Sequence, residues 1–441
     1  MSSAPRPAGR DRMAGRDRMA GGAAESRQHQ RDVVHTGRGQ RGAAGSVEES
    51  TVERRVLVVD MVPRRAVGPE TLSAENLEAL MPSPVDLPPG VESQQIETSR
   101  LRTHVLTAGS PGAPPLVLVH GNVSAARFFA ETMAALGRDF RCIAPDLRGF
   151  GRSQRAPVDA RRGVADFSDD LHALLTEGGV APRAQPVHLL GWSLGGGVAL
   201  QYATDHPGAV GSIVLESPMS PFGFGGTRDT GGTPCWPDYS GSGGGTASPE
   251  MVRRLEAGDR GTDDQTSPRA VLTHLYGNPV ALPPAVEDAL VEAMLEMAIG
   301  PDNYPGDTAV SENWPGASPG DHGVNNAISP KYCDLSGFAA AGNQPEVLWI
   351  RGDADLIVSD TSLVDLGHLG ALGAIPGWPG ADVFPAQPMV GQMRAVLDRY
   401  QAAGGRYTER VLPGCGHSPH LERPAEFTAA VTEFLARAAT R

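Results

Sequence analysis

Between residues 93 and 216, short apolar runs alternate with segments of helical periodicity, and the same rhythm resumes at residue 347 after a long gap. Gln94–Thr98 and Leu101–Thr107 read as a short strand pair, and Pro115–His120, Arg141–Asp146, Val187–Gly191 and Ser212–Glu216 as buried strands. Ala125–Leu136 and Val164–Leu175 carry helical patterns between them. After the gap come a strand at Val347–Gly352, a helix at 390–403, a strand at Arg406–Leu412 and a helix at Ala425–Ala438. Runs this short and this apolar suit strands covered on both faces. Their alternation with helices predicts a mostly parallel central sheet flanked by helices, an α/β fold.

The gap sets the domain organisation. Residues 71–217 form the first part of the core, with 71–92 a proline-rich lead-in; residues 343–441 form the second part. The stretch 218–342 is rich in glycine and proline, with helical patches only near 249–257 and 284–298, and is expected to be an inserted cap. A shorter insertion spans about 361–389. Residues 1–70 repeat Ala8-Gly9-Arg10-Asp11-Arg12-Met13 as Ala14-Gly15-Arg16-Asp17-Arg18-Met19 and contain little apolar material. They are expected to be a disordered extension.

Charge and cysteine content exclude several classes. The net charge is −13, although residues 1–45 hold nine arginines against four acidic residues, so the remainder is more acidic still. Such a body is not expected to bind nucleic acid or an anionic membrane. Lys331 is the single lysine. Cys142, Cys235, Cys333 and Cys415 show no C-x-x-C spacing, so neither a zinc site nor a disulfide scaffold is expected; a Cys235–Cys333 pair is conceivable, but free buried thiols are favoured. No apolar stretch is long enough to span a bilayer, and no hydrophobic core follows the basic N-terminus as in a signal peptide. The expected location is the cytoplasm.

The chemistry begins at Gly191-Trp192-Ser193-Leu194-Gly195. With 55 glycines in 441 residues a G-x-S-x-G match arises readily by chance, and a second copy occurs at Gly316-Ala317-Ser318-Pro319-Gly320. Context separates them. Ser193 follows a buried strand and precedes a helical segment, as a serine raised on a strand-to-helix turn must, whereas Ser318 lies between prolines and is expected in a loop. A serine nucleophile needs a base and a group that orients the base. His417 follows the last strand on a glycine-loosened loop, and Asp353 and Asp355 follow the strand before it, so all would open at the carboxyl edge of the sheet beside Ser193.

These pieces, in the order Ser–Asp–His, resemble the α/β-hydrolase fold superfamily. The resemblance rests on His120-Gly121-Asn122, Asp146-Leu147-Arg148-Gly149-Phe150-Gly151-Arg152-Ser153, Gly191–Gly195, Gly352–Asp355 and Gly416-His417-Ser418-Pro419, with a similar ending at Glu422–Phe427. It covers about 93–441 apart from the cap and implies an α/β-hydrolase fold. By the family's spacing it implies Asp355 rather than Asp353 as the acid, with Ser193 and His417 completing a triad. It also implies an oxyanion hole of the backbone N–H groups of Asn122 and Leu194. No cofactor or metal is implied. His120 is expected to support its loop, Asp146 to be structural, His420 to be a surface or capping histidine, and Glu216 and Asp238 to be structural or solvated.

The resemblance also narrows the reaction. Haloalkane dehalogenase-like members and epoxide hydrolases use aspartate at the elbow, so serine at 193 argues against both. A serine hydrolase of the esterase or lactonase kind is expected, cleaving a carboxylic ester or lactone of a small to medium, fairly apolar molecule. The alternatives are a carbon–carbon bond hydrolase, a cofactor-free perhydrolase or haloperoxidase-like enzyme, and, from another class, a non-catalytic ligand-binding homologue. A small-molecule substrate is the expected partner. Cap arginines are candidates to hold a substrate carboxylate, and Trp236, Tyr239, Trp314 and Tyr332 to line the pocket or pack the cap. The oligomeric state is open.

Overall fold

The register of the strands decides which way the functional loops face. In the computed structural model, which describes residues 87–182, 185–277, 280–342 and 344–438, eight strands form one sheet. They are β1 (Val91–Glu97), β2 (Arg102–Ala108), β3 (Pro115–Val119), β4 (Arg141–Pro145), β5 (Val187–Trp192), β6 (Val210–Glu216), β7 (Glu346–Gly352) and β8 (Tyr407–Leu412). The spatial order is β1-β2-β4-β3-β5-β6-β7-β8. β2 runs antiparallel to β1 and β4, and every neighbouring pair from β4 to β8 is parallel. The loops after β3, β5, β6, β7 and β8 therefore open at one edge, where open α/β sheets bind ligands.

Central β3 and β5 are buried along their whole length, as continuous apolar runs require, while edge strand β8 is half-buried or exposed up to its last residue, Leu412, which is buried. Helices α1 (Ala130–Leu136), α2 (Ala165–Glu177), α3 (Leu194–Asp205), α4 (Met389–Ala402) and α5 (Pro424–Ala438) cover the sheet, with α2 packed on α3 and α1 on α5. The helix expected over Ala125–Leu136 starts instead as a 3-10 turn, Ala126–Phe129. Its first N–H, at Ala126, is held by the buried Asp146 carboxylate at 2.7 Å.

Among the described residues, 217–345 add no strand to this sheet. Helices at Pro249–Glu256 and Pro284–Leu295 match the helical patches, and a π-helical turn spans Val271–Tyr276. Two strand pairs went unread in the sequence: Thr308–Val310 with Ala317–Pro319, and Ile299–Gly300 with Tyr304–Pro305. Ser318 is thus a buried strand residue, not a loop serine. Two- and three-residue strands bounded by glycine and proline are too short to show a period. The second insertion packs on the first, since Leu366 and Phe384 share a cluster with Cys235, Trp236 and Trp314.

The described residues fall in one compact unit, Arg55–Arg441. The proposed disordered segment 1–70 lies outside the described residues. All four cysteines are free and buried, so Cys235 and Cys333 are not paired. Among the described residues no helix is long and apolar enough to cross a membrane.

Candidate active site

Strand β5 ends at Trp192, and the chain turns at Ser193 with φ +55° into α3. A side chain rarely adopts that backbone, and the turn survives because the residues two positions to either side, Gly191 and Gly195, are glycines. A Cβ at Gly191 would run into the Gly195 carbonyl, and one at Gly195 into the Val119 carbonyl. The Ser193 N–H donates to the Glu216 carbonyl (3.0 Å), and the Ser193 carbonyl accepts from the Met219 N–H (3.0 Å), which ties the turn to the end of β6. Leu194 is the first residue of α3, where backbone N–H groups lack intrahelical partners and the helix dipole favours negative charge.

His417 lies on the loop after β8, and its Nδ1 is 2.8 Å from Asp355 Oδ2. Both side chains are buried. The other carboxylate oxygen accepts the N–H groups of Ile357 (2.8 Å) and Val358 (2.9 Å), so the acid is fixed from both sides. Asp353 instead accepts the Gly414 N–H and is exposed. The Trp192 indole donates to the His417 carbonyl at 2.9 Å, and Glu422 accepts the N–H groups of Gly416 and Ser418. The residue before the serine is therefore bonded to the loop that carries the histidine.

On the third loop, after β3, His120 Nε2 accepts the Leu147 N–H (3.0 Å) while Nδ1 donates to the Gly121 carbonyl (2.8 Å). Burial pushes its pKa down, which suits a neutral ring with one donor and one acceptor nitrogen. Asp146 binds His104 Nδ1 (2.7 Å) and the N–H groups of Ala126 and Arg152. It shapes this loop from behind.

Ser193, His417, Asn122 and Leu194 line one cavity of about 240 Å³. Much of the rest of its wall comes from the two insertions, including Tyr276, Tyr304 and Asn325 from the first and Leu363, Leu366 and Leu369 from the second. No arginine, lysine, aspartate or glutamate lines it among the described residues. The cap arginines point elsewhere: Arg253, Arg254, Arg260 and Arg269 form ion pairs with Glu250, Asp259, Glu292, Glu287 and Asp288. Trp236, Tyr239, Trp314 and Tyr332 do not line it; Trp236 and Trp314 pack the inserted cluster. Nothing in the periodicity of the insertions distinguishes Tyr276 or Asn325 from neighbouring polar residues, so their place at the cavity was unreadable.

One further expectation needs correction. His420 is buried rather than at the surface, with Nδ1 2.7 Å and its N–H 2.8 Å from Glu216 Oε1. Glu216 accordingly has a partner and is not solvated. The rings of Phe129 and Trp192 enclose His420, at 4.9 and 5.0 Å between centroids, and replace the water a surface histidine would have. Asp238 is held within the insertion by Ser311 (2.5 Å) and Asn313 (3.0 Å).

Residues 114–232 match the family model described as alpha/beta hydrolase fold. The carboxylesterase YbfK of Bacillus subtilis is 28% identical over 131 residues, 30% of this chain and 43% of that protein. A 2-hydroxymuconate semialdehyde hydrolase of Pseudomonas sp. is 34% identical over 125 residues, 28% of this chain and 42% of that protein. The chain thus spans about two fifths of the length of these curated relatives. A solved structure from Acinetobacter baumannii, described provisionally as a lipase, superposes with TM-score 0.51 at 17% identity, covering 80% of this chain and 93% of that one. With this sheet order, the chain has the α/β-hydrolase fold.

Proposed function

We propose that the chain is a serine hydrolase that cleaves a carboxylic ester or lactone of a neutral, apolar, small to medium molecule. The observation that carries this reading is the Asp355–His417 pair opening, with Ser193, onto one uncharged cavity. Asp355 accepts a hydrogen bond from Nδ1–H of His417, which keeps the proton on Nδ1 and leaves Nε2 as the base. Ser193 Oγ attacks the carbonyl and its proton passes to Nε2, while the N–H groups of Leu194 and Asn122 receive the developing oxyanion. The leaving alcohol departs with that proton. Water then gives a proton to His417 and attacks the acyl group, and Ser193 recovers its proton as the acid leaves. The inserted segments act as a cap that excludes water and selects the substrate.

Carbon–carbon bond cleavage is the second reading, favoured by the name of the Pseudomonas relative. A carboxylate-bearing substrate would, however, meet no cationic side chain in the described cavity wall. Assays on p-nitrophenyl esters of graded chain length, lactones and a dienoic carbon–carbon substrate, with Ser193→Ala as control, separate the two. Ester or lactone turnover that Ser193→Ala abolishes supports the first reading. Turnover of the dienoic substrate alone overturns it, and no turnover of any of them points to a binding protein.

A further inference from the structure

The hydrogen bonds that hold the oxyanion loop do not all come from the core. Those of His120 and Ser124 converge on the Gly121 carbonyl, with Ser124 Oγ donating to it at 2.8 Å. Beyond Gly121 the loop is strained: Val123, a β-branched residue, sits at φ +48°, in the left-handed region that such side chains avoid. Within the loop Asn122 Oδ1 accepts the Val123 N–H at 3.0 Å, and two further polar contacts of Asn122 reach the cap. The Tyr276 hydroxyl donates to the Asn122 carbonyl at 2.7 Å, and Asn122 Nδ2 donates to Asn325 Oδ1 at 2.9 Å.

These cap residues are themselves well anchored. Asn325 also bonds the Tyr304 hydroxyl. Tyr276 is buried edge-on to Trp192, 5.5 Å between centroids, and lies 6.0 Å from the His417 ring. Burial pushes the Tyr276 phenol far above its ordinary pKa, so it is a neutral donor throughout the working pH range.

We infer that Tyr276 and Asn325 are positioning residues that hold the strained Asn122–Val123 turn, so that seating the cap and completing the oxyanion hole are one event. The inference rests on the hydrolase reading above. The carbonyl that Tyr276 holds is one Cα away from the Asn122 N–H offered to the oxyanion. When the cap lifts, that carbonyl and the Asn122 amide lose their partners, Val123 is free to leave its positive φ, and the N–H turns with it. The donor is thus in place only when the cavity is covered, which couples enclosure of the substrate to transition-state stabilisation.

Tyr276→Phe and Asn325→Ala test this, because Tyr276→Phe removes one hydroxyl and keeps the packing ring. An oxyanion donor acts chiefly in the transition state, so misplacing it lowers kcat and spares KM. The expected loss is about tenfold or more in kcat, within the ~10²–10³ that losing a whole donor costs, with KM within about twofold and Tm near wild type. Affinity for a trifluoromethyl ketone, which forms the tetrahedral oxyanion, should fall by the factor lost from kcat/KM. Hydrogen exchange across residues 120–124 should speed up in both variants, a readout that needs no turnover.

Wild-type exchange in this loop would overturn the inference whether or not the protein proves to be a hydrolase. So would wild-type kcat in both variants, or a raised KM with unchanged kcat, which would make the two residues substrate contacts. A wild-type protein that neither turns over esters nor binds the ketone would overturn the hydrolase reading, while faster exchange in the variants would still show the cap holding the loop.

Discussion

Side by side in the sheet, Leu118, Leu190 and Val214 pair across β3, β5 and β6 with no exposed surface. In the first insertion, apolar side chains such as Leu272, Leu290 and Met294 are also buried, but the glycine-rich stretches are tied together by single polar atoms. Ser240 Oγ lies within 2.9–3.1 Å of the carbonyls of Asn313, Trp314 and Ala317, and Asn326 Nδ2 within 2.6–2.9 Å of Asp307 and His322. Apolar burial is non-directional and tolerates volume-conserving exchange. A buried polar atom has a few fixed partners, and losing one leaves the other unsatisfied. The sheet thus supplies a rigid frame for the chemistry, and the inserted layer supplies a wall whose shape depends on particular side chains.

The contrast predicts where substitutions hurt, and how. Ser193→Ala should have the largest effect, a loss on the order of 10⁴-fold or more in kcat with little change in Tm, measured by p-nitrophenyl ester turnover. Residual activity within tenfold of wild type would mean that the frame does not carry the nucleophile. Asp355→Asn should follow, at roughly 10²–10⁴-fold, because the amide no longer favours the tautomer with its proton on Nδ1. If Asp353→Asn caused the greater loss, the pairing of Asp355 with His417 would not be the working one.

Substitution in the wall should change preference more than rate. Leu369 comes from the second insertion and faces a cavity of about 240 Å³, roughly eight times the ~30 Å³ share of one water. Leu369→Trp fills part of that space. Relative to the acetate, the octanoate ester should lose about tenfold in kcat/KM, the size of effect one or two methylenes carry. An equal loss for both esters would indicate damage to the frame instead.

The smallest effect concerns stability. Burial alone would raise the Asp146 pKa, but the hydrogen bond and charge of His104, aided by His120 and the Arg152 N–H, outweigh it and hold the carboxyl below its ordinary value. A depressed folded-state pKa stabilises the fold above the unfolded value of about 3.9 and loses that contribution as pH falls through the folded value. The denaturant midpoints of wild type and Asp146→Asn should therefore differ most near neutrality and converge in acid. A gap that widens in acid would contradict this.

The same contrast explains what could be read from the sequence. Each main-sheet strand and flanking helix could be placed to within a few residues, because burial on both faces of a parallel sheet leaves an apolar run. The placement of Ser193, His417 and Asp355 was legible because each follows such a run at the same edge. Tyr276, Asn325 and Leu369 were not, since their places depend on contacts across long stretches of chain, as between Asn325 and Asn122. His420 was misread, and the partner of Glu216 missed, for a related reason. They find each other only in three dimensions, where aromatic rings enclose them.

The central claim is that Ser193 becomes acylated. Rapid quenching of the protein with a p-nitrophenyl ester, followed by intact-mass and peptide mapping, tests it most directly. The account predicts a single acyl adduct that maps to Ser193, forms in a burst of one equivalent of p-nitrophenol, and disappears in Ser193→Ala. A burst that persists in Ser193→Ala, or an adduct that maps to any other residue, would contradict it.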